Sequence, residues 1–263
     1  MALTITPIPA FNDNYIWALH NAEGQVYVVD PGDANPVKAW LAQSRLTLAG
    51  ILITHHHKDH TGGLDDLLAL VPVPVYGPAG GHIRQLDHLL QEGDRITVLG
   101  HAFDVMETPG HTLDHIVYFH PGQDDGADHP PLLFCGDTLF AGGCGRIFEG
   151  DPPMMYNSLQ RLAALPGTTR VFCAHEYTLA NLAFATAADP DNDALAQRQV
   201  SERSKRDRQR PTLPSTMSLE LRTNPFLRCH SPSLQATVQQ RVSQKLDTGL
   251  ELFTALRRLK DQS

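Results

Sequence analysis

Cysteine is scarce in this chain: four in 263 residues, Cys135, Cys144, Cys173 and Cys229, with no Cys-x-x-Cys pair. Four cysteines in a chain of this size exclude a disulfide scaffold, so buried, reduced thiols are expected. No run approaches the ~20 apolar residues of a membrane helix, and Met1 to Thr6 lacks a basic segment followed by an apolar one. A membrane partner is therefore not expected, and the cytoplasm is the expected location. Positive charge is also short, with 21 Lys and Arg against 29 Asp and Glu and a formal net charge of -8. Phosphate contacts need a basic surface, so nucleic acid is not an expected partner, and any anionic ligand must meet a local cationic cluster. Neither an internal repeat nor a low-complexity tract is present.

What is there suits a soluble enzyme. Hydrophobic residues make up 41% and charged residues 19%, and the length suggests one large domain with a smaller one. Tyr15 to His20 and Gln25 to Val29 read as a hairpin turning at Glu23-Gly24. Asn35-Pro36 starts a helix carrying Val37, Trp40 and Leu41. Leu48 to Ile53 is a strand, Leu64 to Val71 a short helix, Val73 to Tyr76 a strand, and His82 to Leu90 is expected to be helical. Arg95 to Leu99, Ala102 to Glu107, His115 to Phe119 and Leu132 to Cys135 are strand-like, Met154 to Leu165 helical, and Arg170 to Cys173 a last strand. Pro121 to Pro131 reads as a loop. Past Tyr177 no strand-like run appears. Helices are expected over Thr178 to Ala188, Asp191 to Asp207, Ser233 to Gln244 and Thr248 to Asp261, which gives a mixed α/β domain, 1–176, and a helical one, 177–263.

Fourteen histidines are the compositional oddity, because His55, His56, His57 and His60 fall within six positions. On an extended segment, residues i and i+2 point the same way, so His55 and His57 can approach one ion together while His56 points oppositely. Asp59 and His60, past the bend before Gly62-Gly63, can face a neighbouring position. Imidazole and carboxylate are the usual ligands of borderline metals, but four groups are too few for two ions. Three strand ends offer the rest: His111 in Thr108-Pro109-Gly110-His111, Asp137 after Leu132 to Gly136, and His175 after Val171 to Ala174. Ligands at the ends of different strands can converge on one sheet edge. Taken singly, each of these three is an ordinary capping or surface residue; beside the four-ligand cluster they become candidates. His56, His115 and the scattered His20, His82, His88, His101, His120, His129 and His230 read as structural.

These residues resemble the metallo-β-lactamase superfamily through His55-x-His57-x-Asp59-His60, a later Gly-His, and strand-final Asp and His. The chain is most similar to its hydroxyacylglutathione hydrolases, the glyoxalase II family. The resemblance is carried by Asn12-Asp13-Asn14-Tyr15, Cys135-Gly136-Asp137-Thr138-Leu139-Phe140, Gly143-Cys144-Gly145-Arg146, His175-Glu176-Tyr177-Thr178 and Asn224-Pro225-Phe226-Leu227-Arg228. It implies a four-layer αββα sandwich followed by a smaller all-helical domain. It also implies one metal held by His55, His57 and His111, a second by Asp59, His60 and His175, and Asp137 bridging them. Asp30, otherwise a plain turn residue before Pro31-Gly32, is implied as a support for the ligand loop. The expected cofactors are two divalent ions, zinc first, with iron or manganese accepted by the same donors.

Two such ions can share a water, lower its pKa toward neutrality and aim it at a carbonyl, with Asp59 orienting it. A thiolate, with a parent pKa of about 8.5, leaves without a strong acid. The resemblance makes a glutathione thioester the substrate, with Arg146, Tyr177, Arg257 and Lys260 as its binding groups. From the residues alone, Arg257 and Lys260 are a solvated helix end complementing the helix dipole. Phe148 stands where several members of the family have a tyrosine, and it cannot donate a hydrogen bond. The basic run Arg203, Lys205, Arg206, Arg208 and Arg210, broken by Glu202 and Asp207, reads as a solvated helix face. A persulfide dioxygenase, a lactonase or β-lactamase of the same superfamily, and a non-catalytic metal-binding protein are the alternatives. A monomer is expected.

Overall fold

The computed structural model describes residues 3–122 and 130–263. Its layering follows from alternation along single strands, whose successive side chains leave on opposite faces. Strands β1 (Thr4–Ala10), β2 (Asn14–His20) and β3 (Gln25–Val29) run antiparallel, and α1 (Ala34–Ser44) crosses to β4 (Thr47–Leu52), which lies parallel to β3. Helices α2 (Lys58–Thr61) and α3 (Leu64–Leu70) lead to β5 (Val75–Pro78) and β6 (His88–Leu90), completing a sheet in the order β1-β2-β3-β4-β5-β6. On β2, Ile16 and Ala18 pack with Val37 and Leu41 of α1 and Leu64 and Leu67 of α3. Tyr15, Trp17 and Leu19 join the opposite core. A strand apolar on both faces is covered on both.

The second sheet is built from β7 (Arg95–Val98), β8 (His101–Glu107), β9 (Ile116–His120) and β10 (Leu132–Gly136), the short pair β11 (Leu139–Phe140) and β12 (Gly143–Cys144) forming a separate ribbon. After α4 (Pro152–Ala163), β13 (Arg170–Cys173) adds parallel to β10. Phe103, Val105, Phe134 and Phe172 from this sheet meet Trp17 and Leu19 of the first, and α4 adds Met155, Leu159 and Leu162. The result is the helix–sheet–sheet–helix sandwich followed by helices α5 (Thr178–Ala188), α6 (Asp193–Asp207), α7 (Met217–Thr223), α8 (Pro232–Val242) and α9 (Gly249–Asp261).

Two sequence expectations fail here. His82 to Leu90 is not a helix: 82–87 is irregular, and His88–Leu90 pairs parallel with β5, so sheet pairing overrides helical propensity. The region past Tyr177 does contribute strand, since β14 (Ser215–Thr216) joins the second sheet antiparallel to β13. Strand β1 and helix α7 were not anticipated. The Pro121 to Pro131 loop lies mostly outside the described residues, as does His129. The helical segment shares its core with the sandwich, because Phe226, Leu234, Leu252, Phe253 and Leu256 cluster with Leu139, Phe140 and Cys144. All four cysteines are buried thiols, and burial pushes Cys173 up to about 12.

Candidate metal centre

The site forms where strand ends of both sheets meet. Beyond β4 the chain turns at Thr54, whose amide and hydroxyl donate to the Asp30 carboxylate at 2.8 and 2.7 Å. Asp30 itself sits in the left-handed region, at φ 54°, which short polar side chains tolerate. Because Thr54 Oγ1 is already donating, it accepts from His55 Nδ1 at 3.1 Å, which leaves the Nε2 lone pair of His55 facing His57 Nδ1 at 3.1 Å. His111, carried past β8, donates from Nδ1 to the Arg146 carbonyl at 2.8 Å and turns its Nε2 lone pair to His57 Nδ1 at 3.0 Å. Three imidazoles therefore converge with more lone pairs than protons between them.

Beside them lies a second group. Asp59 and His60 stand in α2, with the His60 ring 4.1 Å from that of His55, and His175 arrives from the end of β13. Asp59 Oδ2 is 3.4 Å from both His60 Nε2 and His175 Nε2. Asp137 stands between the groups, with Oδ1 at 3.5 Å from His60 Nε2 and 3.4 Å from His175 Nε2, and Oδ2 at 3.3 Å from His111 Nε2. Those residues fit a pair of cations. His60 Nε2 and Asp137 Oδ1 are buried without a hydrogen-bond partner among the described residues, a costly arrangement that a shared cation would resolve. Within each group of three the donor atoms lie within 4.8 Å of one another.

The electrostatics of the two groups differ. Burial, followed by the neighbouring His60, holds His55 well below its usual value, and burial also depresses His57 and His111. At the second group burial acts in the same direction but loses. The Asp137 carboxylate, joined by Asp30 at His60 and by Asp59 at His175, raises His60 strongly and His175 to about 10. Burial opposes ionisation of Asp59, yet the His175 and His60 imidazoles, each 3.4 Å away, hold its carboxyl far below the usual range.

All seven sequence-predicted ligands thus come together. Asp30 lies 3.0 Å from His60 Nδ1, and His115 is structural: buried, stacked 4.8 Å from His55, with Nε2 accepting the Asp137 amide. Sequence reasoning assigned no role to Asp13, whose Oδ1 accepts from His175 Nδ1 at 2.8 Å, or to Asn14, which donates to Asp59 Oδ2 at 3.1 Å. The pairing of Asp13 with His175 spans 162 positions, and no local pattern signals it. It also missed two glycines. A Cβ on Gly32 would lie 1.8 Å from the Asp59 carbonyl oxygen, and Gly136, at φ +45°, leaves room for Thr54.

Of the proposed substrate groups, Phe148 and Tyr177 stand beside this centre. Phe148 is 60% exposed, with its ring edge-on to His57 and His111 at 5.6 and 5.3 Å. Tyr177 stacks on His175 at 4.7 Å. Arg257 is not the solvated helix end expected from sequence. It is 7% exposed, donates to the Cys144 carbonyl at 3.1 Å, and lies over the Phe226 ring at 5.2 Å. Asp261 joins Arg257 at 3.0 Å to Arg146 at 3.3 Å, and Lys260 Nζ stands 5.3 Å over the Phe184 ring. In the basic run, Lys205 pairs with Glu202 at 2.8 Å and Arg206 lies 3.8 Å from Glu176, so both are committed within the chain.

Sandwich and donor set define a metallo-β-lactamase superfamily protein, and the model of that superfamily matches residues 12–175. The model described as the hydroxyacylglutathione hydrolase C-terminus matches residues 176–263. Among curated relatives, the hydroxyacylglutathione hydrolase of Hahella chejuensis is 52% identical over 258 residues, 98% of each chain. That of Pseudomonas aeruginosa is 53% identical over 262 residues, 99% of each. The chain belongs to the hydroxyacylglutathione hydrolase family. Among solved structures, ETHE1 from Myxococcus xanthus superposes with TM-score 0.63 at 22% identity, covering 99% of this chain and 98% of its own. TTHA1623, solved in a di-iron-bound form, gives 0.59 at 26%, covering 84% and 100%.

Proposed function

We propose that this chain hydrolyses S-(2-hydroxyacyl)glutathione thioesters, typically S-D-lactoylglutathione to D-lactate and glutathione in methylglyoxal degradation. The observation that carries this reading is the convergence of His55, His57 and His111 with Asp59, His60 and His175 across a shared Asp137. Membership of the family supports the substrate class. Two divalent ions, zinc first, would be held by these seven residues. When bound, such ions supply Lewis acidity and lower the pKa of water toward neutrality.

The chain's own residues do the rest. Asp137 and Asp59 supply two negative charges that would offset part of the charge of two divalent cations, and Asp59, at the solvent edge of α2, would orient the attacking water. Asp13, Asn14 and Asp30 hold His175, Asp59 and His60 in place. On the rim, the adjacent guanidinium groups of Arg146 and Arg257 with Lys260 form the local cationic cluster that a glutathione carboxylate needs in a chain of net charge -8. Tyr177 and Phe148 flank the thioester. The departing thiolate, with a parent pKa of about 8.5, needs no strong acid from the protein. The division into a catalytic part, 1–176, and a substrate-binding helical part, 177–263, a monomeric state and a cytoplasmic location belong to the same proposal.

The complete Asp59, His60 and His175 group favours the hydrolase over a persulfide dioxygenase, which works with one iron. Assay of the metal-loaded protein on lactoylglutathione, a lactone and a β-lactam tests this. Thiol release from the thioester, with the other two intact, is expected; turnover of either ring with the thioester intact overturns the reading.

A further inference from the structure

His56 lies between two of the metal donors in sequence and faces away from both. Its Nδ1 is 2.9 Å from Asp114 Oδ1 and its Nε2 is 3.3 Å from Glu149 Oε1, so each ring edge meets its own carboxylate. The Asp114 side chain is only 4% exposed, and among the described residues its Oδ2 has no hydrogen-bond partner, which leaves His56 as its one polar contact in this cluster. Glu149 uses its other oxygen to accept the Leu113 amide at 2.9 Å. The amides of Phe148 and Glu149 in turn donate to the His111 carbonyl at 3.1 and 3.3 Å. A single imidazole therefore joins three segments: the run bearing His55 and His57, the loop bearing His111, and the turn bearing Phe148.

The cluster has the residue types of a third cation site. Its geometry speaks against one, because the two carboxylates sit on opposite edges of the ring and one cation could not engage both without breaking a contact already made. The contacts also lie on one side of the centre only. Asp59 and His175 draw support from Asn14 and Asp13, at 3.1 and 2.8 Å, and neither of these touches His56.

We infer that His56 is a positioning residue, which through Asp114 and Glu149 fixes the three-imidazole position (His55, His57, His111) and leaves the carboxylate-rich position to a separate scaffold. This rests on the two-metal reading above. Partners of metal ligands outside the coordination sphere are worth roughly 10- to 100-fold in metal affinity, and that is the size expected for His56. Since the effect is confined to one position, it is read from the ions and not from turnover.

The full chain, loaded with two equivalents of cobalt(II), is titrated with a chelator while visible absorption and retained metal are followed. In His56→Ala one ion is expected to leave at about 10- to 100-fold lower chelator activity than in the wild type, with the other unchanged. His56→Asn, which keeps a donor toward Asp114, recovers part of the loss. Asp13→Asn is expected to do the reverse, loosening the other ion, and the two early-leaving ions should differ in their absorption bands. Glu149→Gln repeats the first pattern more weakly and stands in if His56→Ala does not fold. Parallel loss of both ions, or no change in either, overturns the inference while leaving the two-metal reading intact. A third equivalent bound by the wild type and lost in His56→Ala overturns it in favour of a cation site. A wild type that holds fewer than two ions overturns both.

Discussion

The two donor groups of the candidate metal centre are made from opposite materials. One is three imidazoles, His55, His57 and His111, each held below its usual pKa by burial, so that bare nitrogen lone pairs wait for a cation. The other mixes carboxylates with imidazoles, and there Asp137, with Asp30 at His60 and Asp59 at His175, raises both imidazoles against the pull of burial. The first position can take an ion with little rearrangement of charge, whereas the second must exchange protons for it. Asp137 is common to both, touching His111 on one side and His60 and His175 on the other.

Removing the shared group should erase the difference altogether. Asp137→Asn is expected to reduce retained metal from two ions to one or none and to lower kcat by about 10²- to 10³-fold. Metal analysis beside the thioester assay checks this, and two tightly held ions in the variant would refute the bridging role.

The proton account gives the next effect. His175 is raised to about 10 from an unfolded value near 6.5, so in the metal-free chain its contribution to stability is fully present below about pH 6.5 and is lost as pH rises through about 10. Asp59 works the other way, its contribution being present above its unfolded value and lost as pH falls. Zinc binding at pH 8 is therefore expected to release protons at the carboxylate-rich position and few at the imidazole position. Calorimetry in two buffers of different ionisation enthalpy reads this directly, and a heat independent of buffer would contradict it.

Smaller effects belong to the rim. Arg257→Ala removes a buried guanidinium that ties α9 to the Cys144 carbonyl, and about 2 to 3 kcal/mol of unfolding free energy should go with it in denaturant titration. A rise in KM for the thioester should accompany that loss; stability lost with KM unchanged would confine Arg257 to structure. Phe148→Tyr, which restores a donor at the mouth beside His57 and His111, should lower KM a few-fold, the equivalent of about 0.5 to 1.5 kcal/mol. An unchanged KM would show that the missing hydroxyl is not what sets affinity.

The convergence of the seven candidate donors was legible in the sequence because each sits at a strand end or within one tight run, where alternation and turn residues fix direction. The mixed α/β character was legible in the residues, but the sandwich came only from the family resemblance, although β2, apolar on both faces, is buried on both. What was not legible depended on partners far along the chain. His82 to Leu90 has helical composition, yet His88–Leu90 has β5 beside it to pair with. Ser215–Thr216 is too short to show any periodicity. Asp13 and Asn14 look like turn residues until the fold sets them against His175 and Asp59. Arg257 carries no sign in sequence that its helix end is covered.

Anomalous diffraction at the zinc edge, from crystals of the zinc-loaded chain, tests the centre most directly. Two peaks are expected, one among His55, His57 and His111 and one among Asp59, His60 and His175, with the Asp137 carboxylate between them. A single peak, or ions bound away from these seven side chains, would contradict it.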